Sequence, residues 1–320
     1  MFAFRQLIKR NLYLYFRDRS AVLFSLLSVF IVILLMLVFL GDMNKNELVQ
    51  LINHLHGTIS DADANHIIVM WTIAGILSVN AFTIPVTMIG MYVKDKEDHK
   101  LESLYTAPIS RSMITSSYLV SSIICSMLMS LLILLLSNLY VSFSGYYFLT
   151  ISSLFTVLFY LIIDIMVSSA LVLLIAQWVK SDRAWGAFST LAGTLIGFVG
   201  GIYLPMGLLP QFVQNILKAM PFIHESALLR DVFTTSSLQQ AFHGLPDAAL
   251  QGYQEAMGII IYIQHHQVSH TLTIFGLCLC GIIALIISTY LLQKRSRFDC
   301  QEEHMKIIIE EKTSKDEEDT

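Results

Sequence analysis

The sequence predicts an all-α polytopic membrane protein, and its composition and charge spacing are the observations behind that prediction. Only 14% of the residues are charged and 55% are hydrophobic, whereas soluble domains carry about 25% charged residues. Residues 64–93 and 112–163 contain no Lys, Arg, Asp or Glu. Apolar runs of this length span the hydrocarbon core as helices, and they lack the alternating pattern of a membrane β-barrel.

Six transmembrane helices are predicted from the apolar runs. They cover about residues 20–40, 67–93, 113–139, 149–178, 184–203 and 271–292. Residues 1–19 precede the transmembrane domain, which occupies residues 20–292. The charged tail, residues 293–320, is expected to be disordered.

The lysines and arginines are divided unevenly between the two sides of this layout. Of the 20 basic side chains, only Lys45, Lys218 and Arg230 fall on one side. Because loops rich in Lys and Arg stay in the cytoplasm, both termini and the loop between the second and third spans are predicted to be cytoplasmic.

Residues 1–19 have an amphipathic pattern. Apolar side chains recur at helical spacing at Phe4, Leu7, Ile8, Leu12 and Tyr15. The basic side chains of Arg5, Lys9 and Arg10 lie elsewhere around the helical wheel. The pattern predicts an interfacial helix along the inner leaflet. The alternative is an ordinary basic leader that only enforces topology.

A charged island, residues 94–111, lies between the second and third predicted spans. Asp95 to Tyr105 can form a short helix, which the sequence Thr106-Ala107-Pro108 would end. Such a helix, lying across the mouth of two spans, would transmit a push from a cytoplasmic partner to both of them. The alternative is a solvated connecting loop with no partner.

No sequence motif for catalysis is found. None of the 16 glycines belongs to a phosphate-binding G-x-x-x-x-G-K-[ST] loop, so any ATP used must be bound and hydrolysed by a partner. No Ser/His/Asp or Cys/His arrangement suggests covalent catalysis, and the chain is expected not to be an enzyme. His265, His266 and His270 do not share one helical face, which favours solvated histidines over a metal site.

The fifth predicted span and the segment after it carry small residues and helix breakers. Small residues recur every four positions at Ser189, Gly193, Gly197 and Gly201. They form a groove for close helix approach, either within one chain or between two copies. Breakers follow at Pro205, Pro210 and Pro221. Two short helices, Gln211–Met220 and Phe222–Phe233, are predicted to form a re-entrant hairpin in the outer leaflet, followed by a polar outer loop over residues 234–270.

Asp164 is predicted near the middle of the fourth span. A charge at that depth costs about 3 kcal/mol, so such groups usually face a cavity or a polar partner. One hypothesis is proton coupling or substrate contact. The other is a hydrogen bond to Ser168, to Ser169 or to a neighbouring helix.

Two motifs carry a resemblance to a known family. The island contains Leu101-Glu102 and ends in Tyr105-Thr106-Ala107-Pro108-Ile109-Ser110-Arg111. It is similar to the segment between the second and third spans of the membrane permeases of type-2 ABC exporters, although that family commonly has Gly-Thr in place of His99-Lys100. The second motif resembles the family's Gly-x-x-x-Pro…Leu-Pro…Pro…Arg segment, and here it comprises Gly201, Pro205, Leu209, Pro210, Pro221 and Arg230.

The resemblance implies a permease of an ATP-driven exporter in a bacterial plasma membrane. Two permease chains, identical or related, would pair with two separate ATP-binding subunits that hold ATP and Mg²⁺, and no nucleic acid is involved. The permease would supply the substrate pathway through the lipid bilayer. Residues 1–16, with Arg5, Lys9 and Arg10, would form a second ATPase contact. The coupling helix of the island would use Lys96, Glu97, Asp98, Lys100, Leu101, Glu102, Leu104, Tyr105, Pro108 and Arg111.

Two other functions compete with the exporter. One is a gradient-driven secondary transporter or channel that uses Asp164 as its coupling carboxylate. The other is a membrane scaffold or sensor that transports nothing. A neighbouring gene for an ATP-binding subunit would favour the exporter.

Overall fold

A computed structural model describes residues 2–20, 22–23, 41–200, 205–263 and 266–292. The first predicted span therefore lies almost wholly outside the described residues, as do Gly201, His265 and the charged tail. These parts of the sequence analysis stay predictions.

The described chain is helical apart from one small hairpin. A 3₁₀ turn covers Met206–Leu208, and the antiparallel strands are β1 (Tyr262–Ile263) and β2 (His266–Gln267). The helices are α1 (Phe2–Arg17), α2 (Gly41–His54), α3 (Asp61–Glu97), α4 (Lys100–Tyr105), α5 (Arg111–Phe143), α6 (Ile151–Trp178), α7 (Asp182–Val199), α8 (Gln211–Lys218), α9 (Pro221–Ala241), α10 (Asp247–Ala256) and α11 (His270–Leu292).

Four of these helices, α3, α5, α6 and α11, are long and apolar enough to cross a membrane. They coincide with the second, third, fourth and sixth predicted spans, so the prediction of an all-α polytopic protein is confirmed. Helix α7 covers most of the fifth predicted span but is not among the four, and it opens on the charged pair Asp182-Arg183. The six-span layout and its orientation stay predictions.

Helix α3 forms the centre of the fold. It packs against α5, α6, α7 and α9, and its apolar part is buried on nearly every side. A helix that is apolar all round is expected to be enclosed in this way. Helix α11 is the opposite case, because most of its apolar face is exposed. It reaches α6 at Gly281, where a Cβ would lie 3.3 Å from Val167 Cγ2.

Trp185 attaches α7 to α3. Its indole N–H donates to the Val86 carbonyl at 3.1 Å. The ring lies directly over Gly90, where an added Cβ would come within 2.8 Å of the indole Cδ1. Gly90 is therefore required for this close approach, and it fixes where α7 meets the central helix.

The segment of helix breakers differs from the predicted hairpin in one respect. Helix α8 agrees with the expected first helix, but α9 runs 21 residues to Ala241 and does not stop at Phe233. Thr234 and Thr235 lie within the helix, and their hydroxyls donate to the carbonyls one turn earlier, at 2.8 and 2.6 Å. At about 1.5 Å per residue, α9 is about 31 Å long, so the expectation of two helices far too short to span was wrong for the second.

The predicted polar loop, residues 234–270, is also structured. It contains the end of α9, all of α10 and the hairpin β1–β2. Buried apolar side chains tie it to the rest of the fold, including Tyr253, Met257 and Ile259. The polarity of the sequence did not indicate this small structured layer, because its apolar residues are spaced between turns.

The small-residue groove on α7 is open in the single chain. Ser189 and Gly193 are only partly buried, whereas Gly197 is buried. A Cβ at Gly193 would meet no atom within 4 Å. No described helix of the same chain fills the groove at Gly193, and the hypothesis of packing between two copies stays a prediction.

Candidate functional site: the charged island and the buried charges

The charged island folds as two helical pieces. Helix α3 continues through Asp95 and Lys96 to Glu97, and a separate six-residue helix, α4, follows. The single helix expected over residues 95–105 is thus interrupted at Asp98-His99. Helix α4 ends at Tyr105, before Pro108, as the sequence predicts. Helix α5 then begins at Arg111.

His99 explains the interruption between α3 and α4. Its backbone is left-handed, with φ 55° and ψ 15°. This conformation costs a residue with a side chain roughly 1–2 kcal/mol, whereas glycine adopts it freely. His99 therefore meets at a cost a backbone requirement that glycine would meet freely. Its Nδ1 lies 2.7 Å from Glu102 Oε1, and this hydrogen bond raises the pKa of His99 above its ordinary value.

Helix α4 has one buried face and one exposed face. Leu101 is 3% exposed and belongs to the core, and Leu104 packs against that core. Glu102 and Ser103 point to the surface. Lys100 bonds Asp98 at 2.7 Å, which lowers the pKa of Asp98. Helix α4 therefore presents a polar surface while remaining anchored to the bundle.

Some of the other predicted coupling residues bond to the rest of the fold, and others are exposed. Lys96 donates to the Val179 carbonyl at 3.1 Å, and Glu97 accepts from the Asp182 backbone N–H at 2.6 Å. These two bonds join the end of α3 to the α6–α7 connection. Arg111 is half-buried and Pro108 is exposed, and the side chain of Tyr105 lies outside the described part of the chain.

A buried polar cluster attaches α1 to the end of α3. Arg10 donates to Asp95 at 2.8 Å and to the Tyr118 hydroxyl at 3.2 Å. The Tyr118 hydroxyl in turn donates to Asp95 at 2.6 Å. Lys100 of α4 lies 3.7 Å from the same carboxylate. The cluster thus connects α1, α3, α4 and α5 through one aspartate.

The three basic residues predicted as an ATPase contact do not behave alike. Arg10 is engaged in the Asp95 cluster, whereas Arg5 and Lys9 are exposed on α1. The amphipathic pattern of α1 is confirmed in part, because Leu7 and Tyr15 are buried on its inner face. Asn11 extends this face with a 3.3 Å hydrogen bond to Ser117.

Asp164 of α6 lies beside a second carboxylate that the sequence analysis missed. It is 2% exposed, and so is Glu225 of α9. The two carboxyl groups lie close to each other, with Ser168 near both and Ser78 near Asp164, and none of the four carboxyl oxygens makes a hydrogen bond of good geometry. Ser169, the other expected partner, bonds Ser122 instead, at 2.9 Å. Glu225 is 61 positions away, in the segment predicted as the second hairpin helix, and it gave no local signal of this contact.

Arg230 is a buried cation held by carbonyl groups. It is fully buried, and its guanidinium lies 4.4 Å from the centre of the Trp71 ring. It donates to the Gly200 carbonyl at 2.6 Å and to the Met257 carbonyl at 3.5 Å. Trp71 also donates to the Met257 carbonyl, at 3.0 Å. Arg230 therefore joins α3, α7 and α9 to the turn after α10.

The outer histidines do not converge in the described part of the chain. His66 stacks on Tyr146, with ring centres 4.4 Å apart, and His270 lies 3.4 Å from Asp231. Among the described residues, no group of three or more His, Cys, Asp or Glu side chains is placed to hold a metal ion.

The comparison with protein families identifies a family of membrane transporters, in agreement with the four helices that are long and apolar enough to cross a membrane. A family model described as "ABC-2 type transporter" matches residues 2–234. No curated protein matches the chain. The matched region contains α1 to α8 and most of α9, and with them the island, the Asp95 cluster and the Asp164–Glu225 contact. Since the match covers well over half of the 320 residues, the chain belongs to the ABC-2 type transporter family.

Proposed function

We propose that this chain is the transmembrane permease subunit of an ATP-driven ABC exporter, and that α4 is its coupling helix. Two permease chains, identical or related, would enclose the substrate pathway in the bilayer of a bacterial plasma membrane. Separate ATP-binding subunits would hold ATP and Mg²⁺ on the cytoplasmic side. The permease itself carries out no catalysis.

The observation that carries this proposal is that α4 has one face buried in the bundle and one face exposed. Its polar face, with Glu102 and Ser103, is exposed, whereas Leu101 is buried. A partner pressing on the exposed face would therefore push a helix that cannot move alone. The Asp95 cluster would pass the displacement to α1 and α5, and the bonds of Lys96 and Glu97 would pass it to the α6–α7 connection.

Co-expression of the chain with the ATP-binding subunit of a neighbouring gene provides the test. The complex is expected to co-purify in lipid nanodiscs, and ATP hydrolysis by the ATPase is expected to increase when the permease is present. Glu102→Lys reverses an exposed charge on α4 and should reduce this stimulation several-fold.

The control is Asp247→Lys, a reversal of an exposed acidic residue in the first turn of α10. It should leave stimulation unchanged because α10 is remote from α4 in the fold. Equal stimulation by wild type and Glu102→Lys would contradict the assignment of α4. Failure of any ATP-binding subunit to associate would contradict the exporter itself.

A second candidate function is gradient-driven transport through Asp164. The observation in its favour is the burial of Asp164 against Glu225 without a basic partner. ATP-dependent uptake into inverted membrane vesicles, which corresponds to export from the cell, separates the two candidates. Under the exporter proposal Asp164→Asn retains export, whereas loss of ATP dependence together with transport driven by an imposed proton gradient supports the second candidate.

A further inference from the structure

The Asp164–Glu225 contact brings together two acidic groups with no positive charge to balance them. Both side chains are almost completely buried, and none of their four carboxyl oxygens has a hydrogen-bond partner of good geometry among the described residues. No described Lys, Arg or His forms an ion pair with either group. Arg230, on the same helix as Glu225, is turned towards Trp71 and two carbonyls.

The neighbours of the pair come from three helices. Ser78 of α3 lies beside Asp164, and Ser168 of α6 lies beside both carboxyl groups. The titratable group that faces Glu225 from α11 is the Cys280 thiol. The Ser168 hydroxyl is fully buried and has no hydrogen-bond partner of good geometry. Buried polar groups normally have hydrogen-bond partners, so the unpaired hydroxyl and carboxyl groups indicate that a small ligand satisfies them.

The chemistry of the pair identifies that ligand. Two carboxylates in contact in a site without water repel each other strongly, and burial opposes the charged form of each. A hydrogen bond between two carboxyl groups also requires a proton, because two ionised carboxylates contain acceptors only. One proton satisfies both requirements, since the protonated acid donates to the ionised one.

We propose that Asp164 and Glu225 form a proton-binding site that holds one shared proton between α6 and α9. The proton keeps the two helices in contact at this depth. Its removal would leave two adjacent negative charges, which would separate α9 from α6. Because α9 follows the helix breakers and α6 packs against the central helix α3, the proton would control the attachment of the segment after the breakers to the bundle. The site requires neither an ATP-binding subunit nor an identified cargo.

Infrared spectroscopy of the purified full chain in lipid nanodiscs tests the proposal. Protonated carboxyl groups absorb separately from carboxylates, and their band shifts in D₂O. Exposed Asp and Glu side chains, with pKa values of about 3.9 and 4.3, are ionised at neutral pH. The wild-type chain is expected to show one protonated carboxyl per molecule at neutral pH. The double variant Asp164→Asn with Glu225→Gln is expected to lose that band completely.

The matched control is Asp231→Asn, a single neutralisation on the same helix at a partly exposed residue that lies beside His270. It should keep the band. The single variant Glu225→Gln should keep one protonated carboxyl at a shifted frequency, because an amide then replaces the carboxylate as its partner.

Three results would overturn the proposal. The first is a wild-type chain without the band at neutral pH. The second is a band that persists in the double variant, or that is unshifted in Glu225→Gln. The third is loss of the band when Na⁺ or K⁺ is added at constant pH, since the site would then bind a metal cation in place of the proton. The wild-type measurement does not depend on the folding of any variant.

Discussion

Asp95 and Asp164 are both buried aspartates in long helices, but they have opposite kinds of partner. Asp95 contacts Arg10, Tyr118 and Lys100, and its negative charge is balanced. Asp164 meets another acid and two serines. A buried charge that has a complete set of partners fixes how the helices pack. A buried acid that lacks such partners destabilises the fold when it is ionised. The comparison therefore separates a group that holds the fold together from one that is available for ligand chemistry.

The largest effect is expected from Asp95→Ala. This change leaves the Arg10 guanidinium and the Tyr118 hydroxyl without their acceptor. Fully buried pairs cost about 3–5 kcal/mol when one partner is removed. Because the Arg10 side chain is 32% exposed, the expected loss in free energy of unfolding is about 2–3 kcal/mol. Thermal unfolding of the purified chain, followed by circular dichroism, measures it.

The control for that variant is Asp98→Ala, three residues further along the chain. Asp98 pairs with Lys100 at the surface, where ion pairs contribute little, so its removal should change unfolding only slightly. If the two variants unfold alike, Asp95 does not hold α1 to the bundle.

A smaller loss is expected from Arg230→Lys, a buried cation whose acceptors are carbonyls. Lysine keeps the charge but has no planar group to stack on Trp71 while bonding two carbonyls. The loss of one charged hydrogen bond and of the stacking should cost about 1–2 kcal/mol in free energy of unfolding. Chemical denaturation monitored by tryptophan fluorescence measures it. Unchanged stability would show that the planar guanidinium contributes no more to the free energy of unfolding than its positive charge does.

Neutralising the acid pair should change stability less than either Asp95→Ala or Arg230→Lys. Asp164→Asn with Glu225→Gln removes no favourable ion pair and leaves groups that can still hydrogen-bond each other. We expect the free energy of unfolding to change by less than about 1 kcal/mol. The same thermal unfolding measurement applies. A loss as large as that of Asp95→Ala would mean that the pair stabilises the fold as a charged site, and the contrast with Asp95 would disappear.

The smallest effect is expected at His99, which lies on the surface. Because the hydrogen bond to Glu102 raises the pKa of His99, its imidazolium stabilises the start of α4 at pH values below the unfolded pKa of about 6.5. This stabilisation is lost as the pH rises through the raised pKa. NMR titration of labelled histidine should give a midpoint above about 6.5 for His99. Glu102→Gln should move the midpoint down, and a midpoint that does not move would exclude this hydrogen bond as the cause.

The sequence was a good guide where local chemistry decides the structure. Uncharged runs located α3, α5, α6 and α11, because burying charge in lipid is costly at every position of a span. Pro210 and Pro221 also marked the starts of α8 and α9 correctly. Proline acts on the backbone of its own neighbours, so its effect can be read without knowing the fold.

The sequence was a poor guide where distant residues meet. Arg10 and Asp95 are 85 positions apart, and nothing near Glu225 indicates that it faces Asp164. The extension of α9 past Phe233 also could not be read from the polar sequence, because Thr234 and Leu238 are buried there by packing against the rest of the fold. His99 was a local difference from the similar permeases, and only its backbone angles showed why glycine suits that place.

The bond between Glu97 and the start of α7 has a consequence for how the chain is made. The two groups are 85 residues apart. Since ribosomes add roughly 5–20 residues per second, about 4 to 17 seconds of synthesis separate them. During that interval the nascent end of α3 has no partner from α7, and the exposed Glu97 carboxylate is hydrated. The order of translation, more than distance in the finished fold, therefore determines when this end of the bundle can close.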